Sequence, residues 1–406
     1  MRRFINPETV TETVIETGDG SLSHVIKSLK RRFRFAVRQR TVPCLRFLFT
    51  ARQRTVPCLT CLTCLAVALL ILMTTAVSGC NRAPNGEVNV YNWGEYIDES
   101  IFKNFQRETG IKVNYTEFQN NEQMYAIIKS GSATYDVIIP SDYMISRMIN
   151  ENMLEELDFS NIPNSGLISN EYKNLEYDPA GKYSVVYMTG TVGLIYNSAL
   201  ISDEITSWSA LFNSDYAGQI LMFDNPRDAF GIALKYLGYS VNTTSESEIR
   251  EAYDLLVKQT PILQAYVMDQ IFDKLEAGEA AIGPYYAGDY LDMYESNEDL
   301  VFVRPIEGSN SFADAMCIPK GAKNKTNAEV FINFMCSTEI CLANMDVTNY
   351  SSANLEANEV FGADMEPYFH DIMFASDETL ANCEVFTNLP QDTLDLYDRL
   401  WVELKK

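Results

Sequence analysis

The chain has 406 residues, of which 47% are hydrophobic and 12% aromatic, and its formal net charge is −23. This length favours two domains over a single core, and the apolar content argues against long disordered segments. Residues 1–80 carry twelve Lys and Arg against four Asp and Glu, a net charge of +8, which leaves −31 for residues 81–406. So acidic a body argues against nucleic acid as a partner, because phosphate binding needs a basic surface.

The basic N-terminal segment contains an apolar run at residues 59–77 that ends in Val77-Ser78-Gly79-Cys80. A basic flank, an apolar core and small residues before a Cys are typical of bacterial export signals whose Cys is lipidated. The run is also about long enough for an uncleaved membrane anchor, which needs ~20 apolar residues. We predict that residues 1–79 are an export leader and that Cys80 carries a lipid that anchors the protein in the bilayer, at the outer face of the cytoplasmic membrane or in the periplasm.

Two further features concern the leader and the cysteines. Residues 38–45 recur as residues 52–59, which favours a misassigned start or a short duplication over a structural repeat. Four of the nine cysteines lie in the leader, and the body keeps Cys317, Cys336, Cys341 and Cys383. Their apolar neighbours predict buried free thiols, with one disulfide left as an alternative.

The first half of the body alternates β-forming and amphipathic segments. The pattern predicts strands at 87–93, 111–115 and 135–139, and helices at 98–109, 121–130 and 142–151. The second half repeats this alternation. There the predicted strands are 192–196, 219–223, 280–286 and 311–318, and the predicted helices are 227–237, 246–259, a segment beginning at 328–334, and 392–404. Such alternation indicates an α/β protein with parallel pairing, two lobes and a ligand cleft at the carboxyl ends of strands.

Aromatic and acidic residues, with a few other polar residues, recur together where these strands end. They are Trp93, Glu95, Tyr96, Ser141, Asp142, Tyr143, Asp224, Asn225, Asp228, Tyr285, Tyr286 and Asp289, and Phe312 and Asp314 lie within the last strand. Aromatic faces and carboxylates together suit an alkyl polycation, because ammonium groups gain cation–π attraction and charge pairing.

Each of these residues also has a purely structural interpretation. A single Tyr at a strand end is more often a packing residue, and Trp93 is alternatively a core residue. Asp142, Asp224 and Asp228 are alternatively helix caps. The repetition of the pattern at several strand ends favours binding.

Several motifs in one order resemble the spermidine/putrescine-binding proteins of ABC importers. They are Tyr-Asn-Trp-Gly-Glu-Tyr at 91–96 and the segments 105–113, 121–125, 135–143, 205–211, 233–240 and 318–325. The resemblance covers about residues 87–406. It implies a type II periplasmic-binding-protein fold in which a hinge joins lobe one, 87–190 plus 313–358, to lobe two, 191–312 plus 359–406. The implied partners are a polyamine and the membrane permease subunits of the importer, and the implied cofactor set is empty.

The resemblance also implies a ligand site. Its aromatic box would be Trp93, Tyr96, Tyr143, Tyr286, Phe312 and Tyr350. Ser141, Asp228 and Asp314 would hold amine groups. The chain departs from the family's spermidine binder at five positions. That binder has Thr in place of Gly94, Asp in place of Asn225, Glu in place of Asp228, and Trp in place of both Tyr286 and Phe312. Asp142, Asp269 and Asp289 are candidates for compensating charge, so the preferred polyamine stays open.

Two other classes of function remain open at the level of sequence. A hydrolase that uses paired carboxylates is one, although the body has a single His, His370, and no nucleophile motif or phosphate-binding loop. A binding protein for ferric iron, another cationic solute or a short peptide is the other. The sequence favours a binding protein over an enzyme and indicates no metal site.

Overall fold

The computed structural model describes residues 85–406, so the predicted leader, its cysteines and Cys80 lie outside the described residues. The strands of this region are β1 (Glu87–Trp93), β2 (Lys112–Phe118), β3 (Val137–Ile138), β4 (Ser184–Asn197), β5 (Ile220–Phe223), β6 (Leu263–Val267), β7 (Ile282–Tyr286), β8 (Leu300–Val303), β9 (Ser309–Cys317), β10 (Ser351–Ser352) and β11 (Cys383–Val385). The α-helices are α1 (Ile101–Thr109), α2 (Asn121–Ser130), α3 (Asp142–Asn150), α4 (Pro226–Leu237), α5 (Glu246–Gln259), α6 (Gln270–Glu276), α7 (Ala287–Ser296), α8 (Lys325–Met335), α9 (Thr338–Thr348), α10 (Leu355–Gly362), α11 (Pro367–Met373), α12 (Asp377–Ala381) and α13 (Gln391–Leu404).

Local signals in the sequence account for the predicted helices. Helix α1 ends at Gly110, whose φ of 76° lies in the left-handed region that glycine adopts without strain. Helix α2 begins after Asn120, whose side chain accepts a hydrogen bond of 2.8 Å from the Gln123 amide. Both α2 and α5 have the predicted bounds. The predictions missed β6, β8, β10, β11, α6, α7 and α9 to α12, and gave only the last part of β4.

The strands form two parallel sets joined by antiparallel strands. Strand β1 pairs in parallel with β2 and β3, and β5 pairs in parallel with β6 and β7. Strands β4 and β9 pair antiparallel to each other and connect the sets, giving the order β2-β1-β3-β9-β4-β7-β5-β6. The predicted parallel pairing is therefore confirmed within each set and wrong for the connecting strands, whose direction depends on long-range pairing.

Two hydrophobic cores flank the β4–β9 pair. One is built mainly from residues 88–188 and 315–353, and the other mainly from residues 192–302 and 357–404. We propose that these cores are those of the two lobes predicted above, 87–190 plus 313–358 and 191–312 plus 359–406. Some residues cross that division, because Met345 packs in the second core and Phe386 in the first.

Two smaller observations complete the description. Within residues 85–406, Cys317, Cys336 and Cys341 are buried free thiols, as predicted, and Cys383 is a half-buried free thiol. No single helix of this region is long and apolar enough to cross a membrane, and α8 and α9 pass that test only as a pair bent by 76°.

Candidate functional site

A cleft lies between the two cores, where the carboxyl ends of β1, β3, β5 and β7 meet strand β9. All eleven predicted site residues line it, namely Trp93, Tyr96, Ser141, Asp142, Tyr143, Asn225, Asp228, Tyr286, Phe312, Asp314 and Tyr350. Asp269 and Asp289 line it as well. Asp224 does not, because its carboxylate pairs with the Lys405 ammonium at 2.8 Å.

Asp314 is at the centre of the cleft. Strand β9 alternates its side chains, so Asn310, Phe312 and Asp314 face the cleft together. The Tyr96 hydroxyl donates to Asp314 Oδ2 at 2.9 Å, whereas Oδ1 has no hydrogen-bond partner although the residue is only 4% exposed. Burial raises the pKa of the Asp314 carboxyl to about 6. An acceptor oxygen is therefore free for a ligand donor.

A second carboxylate lies where β5 leads into α4. Asp228 Oδ2 accepts from the Asn225 side-chain amide at 2.7 Å and from the Tyr286 hydroxyl at 3.0 Å. The Asn225 side chain also accepts from the Arg227 amide and so caps α4. Burial raises the pKa of Asp228 to about 7. The cap of this helix is therefore Asn225, and the interpretation of Asp224 or Asp228 as the cap is wrong.

A third acidic group follows β7. The Tyr350 hydroxyl donates to Asp289 at 2.9 Å, and the Tyr285 hydroxyl donates to Asp269 at 3.3 Å. Burial, and then the charges of Asp269 and Glu95, raise the pKa of Asp289 to about 8. A Cβ atom at Gly94 would lie 3.0 Å from a carboxylate oxygen of Asp269, so glycine at position 94 leaves room for this acid.

Asp142 differs from the other acids of the cleft. Its oxygens accept from the backbone amides of Tyr143 at 2.6 Å and Ala313 at 3.2 Å, and the residue is 2% exposed. Burial raises its pKa to about 8. These contacts join the start of α3 to strand β9, so Asp142 is first of all a structural link between them.

Aromatic rings from both cores converge in the cleft. Tyr96 meets Tyr350 edge-on with centroids 5.1 Å apart, and Tyr286 meets Phe312 edge-on at 5.6 Å. The half-buried Trp93 is oriented by a hydrogen bond of 2.9 Å from its indole N–H to the Ile139 carbonyl. These contacts fix the orientations of the rings, and the carboxyl groups of Asp314, Asp228 and Asp289 still line the cleft beside them.

Arg227 and Phe386 also line the cleft, although neither was predicted as a site residue. The Arg227 guanidinium is 4% exposed, lies 4.6 Å from the Phe386 ring and 5.1 Å from the Tyr143 ring, and donates to the Thr387 carbonyl at 3.2 Å. It therefore covers the face of Tyr143, which the sequence analysis assigned to the ligand. The Asn-Pro-Arg-Asp helix start was a signal for a cap, but no local pattern shows that the Arg side chain enters the cleft.

The charges of the cleft are strongly unbalanced. Six carboxyl groups line it, those of Glu95, Asp142, Asp228, Asp269, Asp289 and Asp314. Arg227 is the one basic residue among the described residues of the lining, and its guanidinium is already bonded to protein acceptors. Desolvated carboxylates are costly without partners, so this arrangement favours a ligand with several positive charges and an apolar body.

Comparison with known proteins agrees with this chemistry. The chain matches the bacterial extracellular solute-binding protein family over residues 100–371. It is 31% identical to the spermidine/putrescine-binding periplasmic protein of Salmonella typhimurium over 335 residues, which cover 82% of this chain and 95% of that protein.

Proteins of known structure that resemble this chain include substrate-binding proteins as well. The spermidine/putrescine ABC transporter substrate-binding protein PotD of Streptococcus pneumoniae is 36% identical, with a TM-score of 0.67 over 79% of this chain and 99% of that one. The TpPotD lipoprotein of Treponema pallidum is 27% identical, with a TM-score of 0.69 over 78% of this chain and 99% of that one. The type II periplasmic-binding-protein fold expected from the sequence is thus confirmed.

Proposed function

The chain belongs to the bacterial extracellular solute-binding protein family, and we propose that it captures a polyamine such as spermidine or putrescine and delivers it to an ABC importer. The observation that carries this proposal is the cleft itself, in which six carboxyl groups surround aromatic rings and face a single basic side chain that is already bonded. The names of the relatives support the same ligand class.

The cleft offers separate positions for the parts of such a ligand. Ammonium groups would pair with Asp314, Asp228 and Asp289, each of which already accepts from a tyrosine hydroxyl. Methylene groups would lie against Trp93 and Phe312. Each desolvated ammonium group needs about one carboxylate, and the cleft provides three carboxylates beside its aromatic rings.

We infer that the ligand is bound and released without chemical change. The relatives are substrate-binding components of transporters, which supports this inference. Calorimetric titration with putrescine, cadaverine, spermidine and spermine tests the function directly. We expect at least one of them to bind with 1:1 stoichiometry and to be recovered intact after incubation. Absence of binding by all four would reject the proposed function.

We further propose that the protein acts outside the cytoplasm, held to the membrane by a lipid on Cys80 and in contact with the permease subunits of the importer. The pattern Val-Ser-Gly-Cys after the apolar run supports this, as does the lipoprotein among the relatives. Cys80→Ser removes the thiol to which the lipid would be attached. We expect fractionation to show this variant released from membranes. If it stays fully membrane-bound, the apolar run is an uncleaved anchor.

Replacing Trp93 tests the aromatic part of the site. Trp93→Ala should weaken polyamine binding by about 1–2 kcal/mol, because it removes cation–π attraction and stacking together. Calorimetry measures the affinity, and circular dichroism should show a folded protein, because the ring is only half-buried. Trp401→Ala is the matched control, since Trp401 packs on Tyr266 away from the cleft and its loss should leave affinity unchanged. An equal loss of polyamine affinity in both variants would show that Trp93 supports the fold and does not contact the ligand.

A further inference from the structure

The paired strands β4 and β9 have a cavity on each face. Asp314 faces the cleft described above, whereas Ser311 and Ala313 face the opposite side, because side chains alternate along a strand, and Phe312 borders both spaces. Their partners on β4 follow the same rule, since Thr191 pairs with Ser311 and lines the opposite cavity with it. We call this second space the rear cavity.

The rear cavity has a volume of about 580 Å³ and walls from both cores. One wall carries Leu175 and Tyr177, which pack against the first core. The other carries Ile372 and Phe374 of the second core together with the exposed Leu380. Ligand pockets typically enclose ~300–1,000 Å³ and are mainly apolar with a few placed polar groups. The rear cavity has this size and composition.

The polar groups of the rear cavity indicate the charge of its ligand. No Lys, Arg or His occurs among the described residues that line it. Its acidic residues are Glu171 and Glu176, which are exposed, and the buried Asp142, whose oxygens accept from two backbone amides, so an anion is disfavoured. Some lining hydroxyls are bonded to other protein groups, as Thr189 and Ser351 are, with oxygens 2.7 Å apart.

Thr191 is different. It is 2% exposed, and its hydroxyl has no hydrogen-bond partner. A buried hydroxyl without a partner is unfavourable, so its position on a cavity wall points to a partner supplied from the cavity.

We propose that the rear cavity is a second ligand site, which takes a neutral, mainly apolar small molecule that forms a hydrogen bond with Thr191 through a single N–H or O–H group. The apolar part of the molecule contacts Leu175 on one wall and Ile372 and Leu380 on the other.

Occupation of the rear cavity is coupled to the polyamine cleft. Tyr143, Asp142 and Phe312 line both spaces, and the walls of the rear cavity come from both cores. A molecule that fits between both walls stabilises the relative position of the two cores seen in this structure. The same relative position brings Tyr350 and Asp289 together across the cleft. The rear ligand therefore raises polyamine affinity, and by thermodynamic reciprocity the polyamine raises the affinity of the rear ligand by the same factor. Only this coupling rests on the proposed function.

N-phenyl-1-naphthylamine is a suitable probe, because it is neutral, apolar and fluorescent and has one N–H group. Titrated into the purified protein, it should give saturable 1:1 fluorescence enhancement. Leu175→Trp fills the cavity and should abolish the signal, whereas Leu200→Trp, at an exposed position outside the cavity, should leave it unchanged. Thr191→Val keeps the shape of the side chain. It should lower the affinity for the probe about fivefold and raise the melting temperature of the protein.

Saturating spermidine should tighten probe binding, and saturating probe should tighten spermidine binding by the same factor, about fivefold or more. Leu175→Trp should still bind spermidine, which separates this proposal from the polyamine function. The proposal is overturned if the probe does not bind, if Leu175→Trp binds it like the Leu200→Trp control, if Thr191→Val leaves its affinity unchanged, or if the two ligands bind independently.

Discussion

Asp314→Asn should reduce polyamine affinity by about 2–5 kcal/mol, the usual effect of removing one member of a buried charge pair. The substitution keeps the shape of the side chain and an oxygen that can accept from Tyr96, whose hydroxyl lies 2.9 Å from the carboxylate. What it removes is the charge, on a group whose second oxygen has no protein partner. Calorimetric titration of spermidine and putrescine measures the loss.

The same variant should be more stable than the wild type without ligand at neutral pH. The pKa of Asp314 is about 6 in the folded protein, above its ordinary value of 3.8, so the folded state holds this proton more tightly than the unfolded state. Ionisation therefore lowers folding stability by up to about 3 kcal/mol, an effect absent below pH ~4 and complete above pH ~6. Thermal melts should show a gain for Asp314→Asn at pH 8 and none at pH 4.

Asp224→Asn is the matched control for charge removal. Asp224 follows β5 but pairs with Lys405 outside the cleft, so its loss should leave polyamine affinity unchanged and alter stability by less than ~1 kcal/mol. Wild-type affinity in Asp314→Asn, or an equal loss in both variants, would show that Asp314 does not bind the ligand.

Polyamine affinity should rise at least tenfold between pH 6 and pH 8. Burial raises the pKa of Asp228 to about 7, and burial together with Asp269 and Glu95 raises that of Asp289 to about 8. At pH 6 both groups hold protons in the empty cleft, and an arriving ammonium must displace them. Each pH unit below the pKa of one such group costs a factor of ten in affinity. Arg227 opposes part of the shift at Asp228.

Calorimetry at pH 6, 7 and 8 in two buffers with different ionisation enthalpies tests this expectation. Binding should release protons, so the observed heat should depend on the buffer. Amines near pKa ~10 keep their charge throughout this range. Asp289→Asn should lower the affinity at pH 8 and flatten its pH dependence. Constant affinity with no buffer dependence would mean that the acids are already ionised in the empty cleft.

The sequence alone grouped candidate cleft residues within each set of strands, and strand β7 shows why. Parallel strands carry the residues after their carboxyl ends to one edge of a sheet, so period and turn signals bring Tyr286 and Asp289 after β7 close to Asn225 and Asp228 after β5. That these residues face Trp93 and Ser141 of the other set depends on the long-range pairing of β4 with β9. Helix starts were equally accessible, because capping by Asn120 and Asn225 depends on residues two or three positions away.

Contacts between distant residues were decided only by the tertiary structure. Tyr96 and Asp314 are 218 positions apart, and no local pattern specifies that their side chains meet. The direction of the Arg227 side chain follows from packing against Phe386, and the backbone contacts of Asp142 follow from where strand β9 passes. The rear cavity has the same origin, since its walls join segments about 200 positions apart. Periodicity fixes which face of a strand a residue occupies, whereas the long-range pairing of β4 with β9 fixes what that face meets.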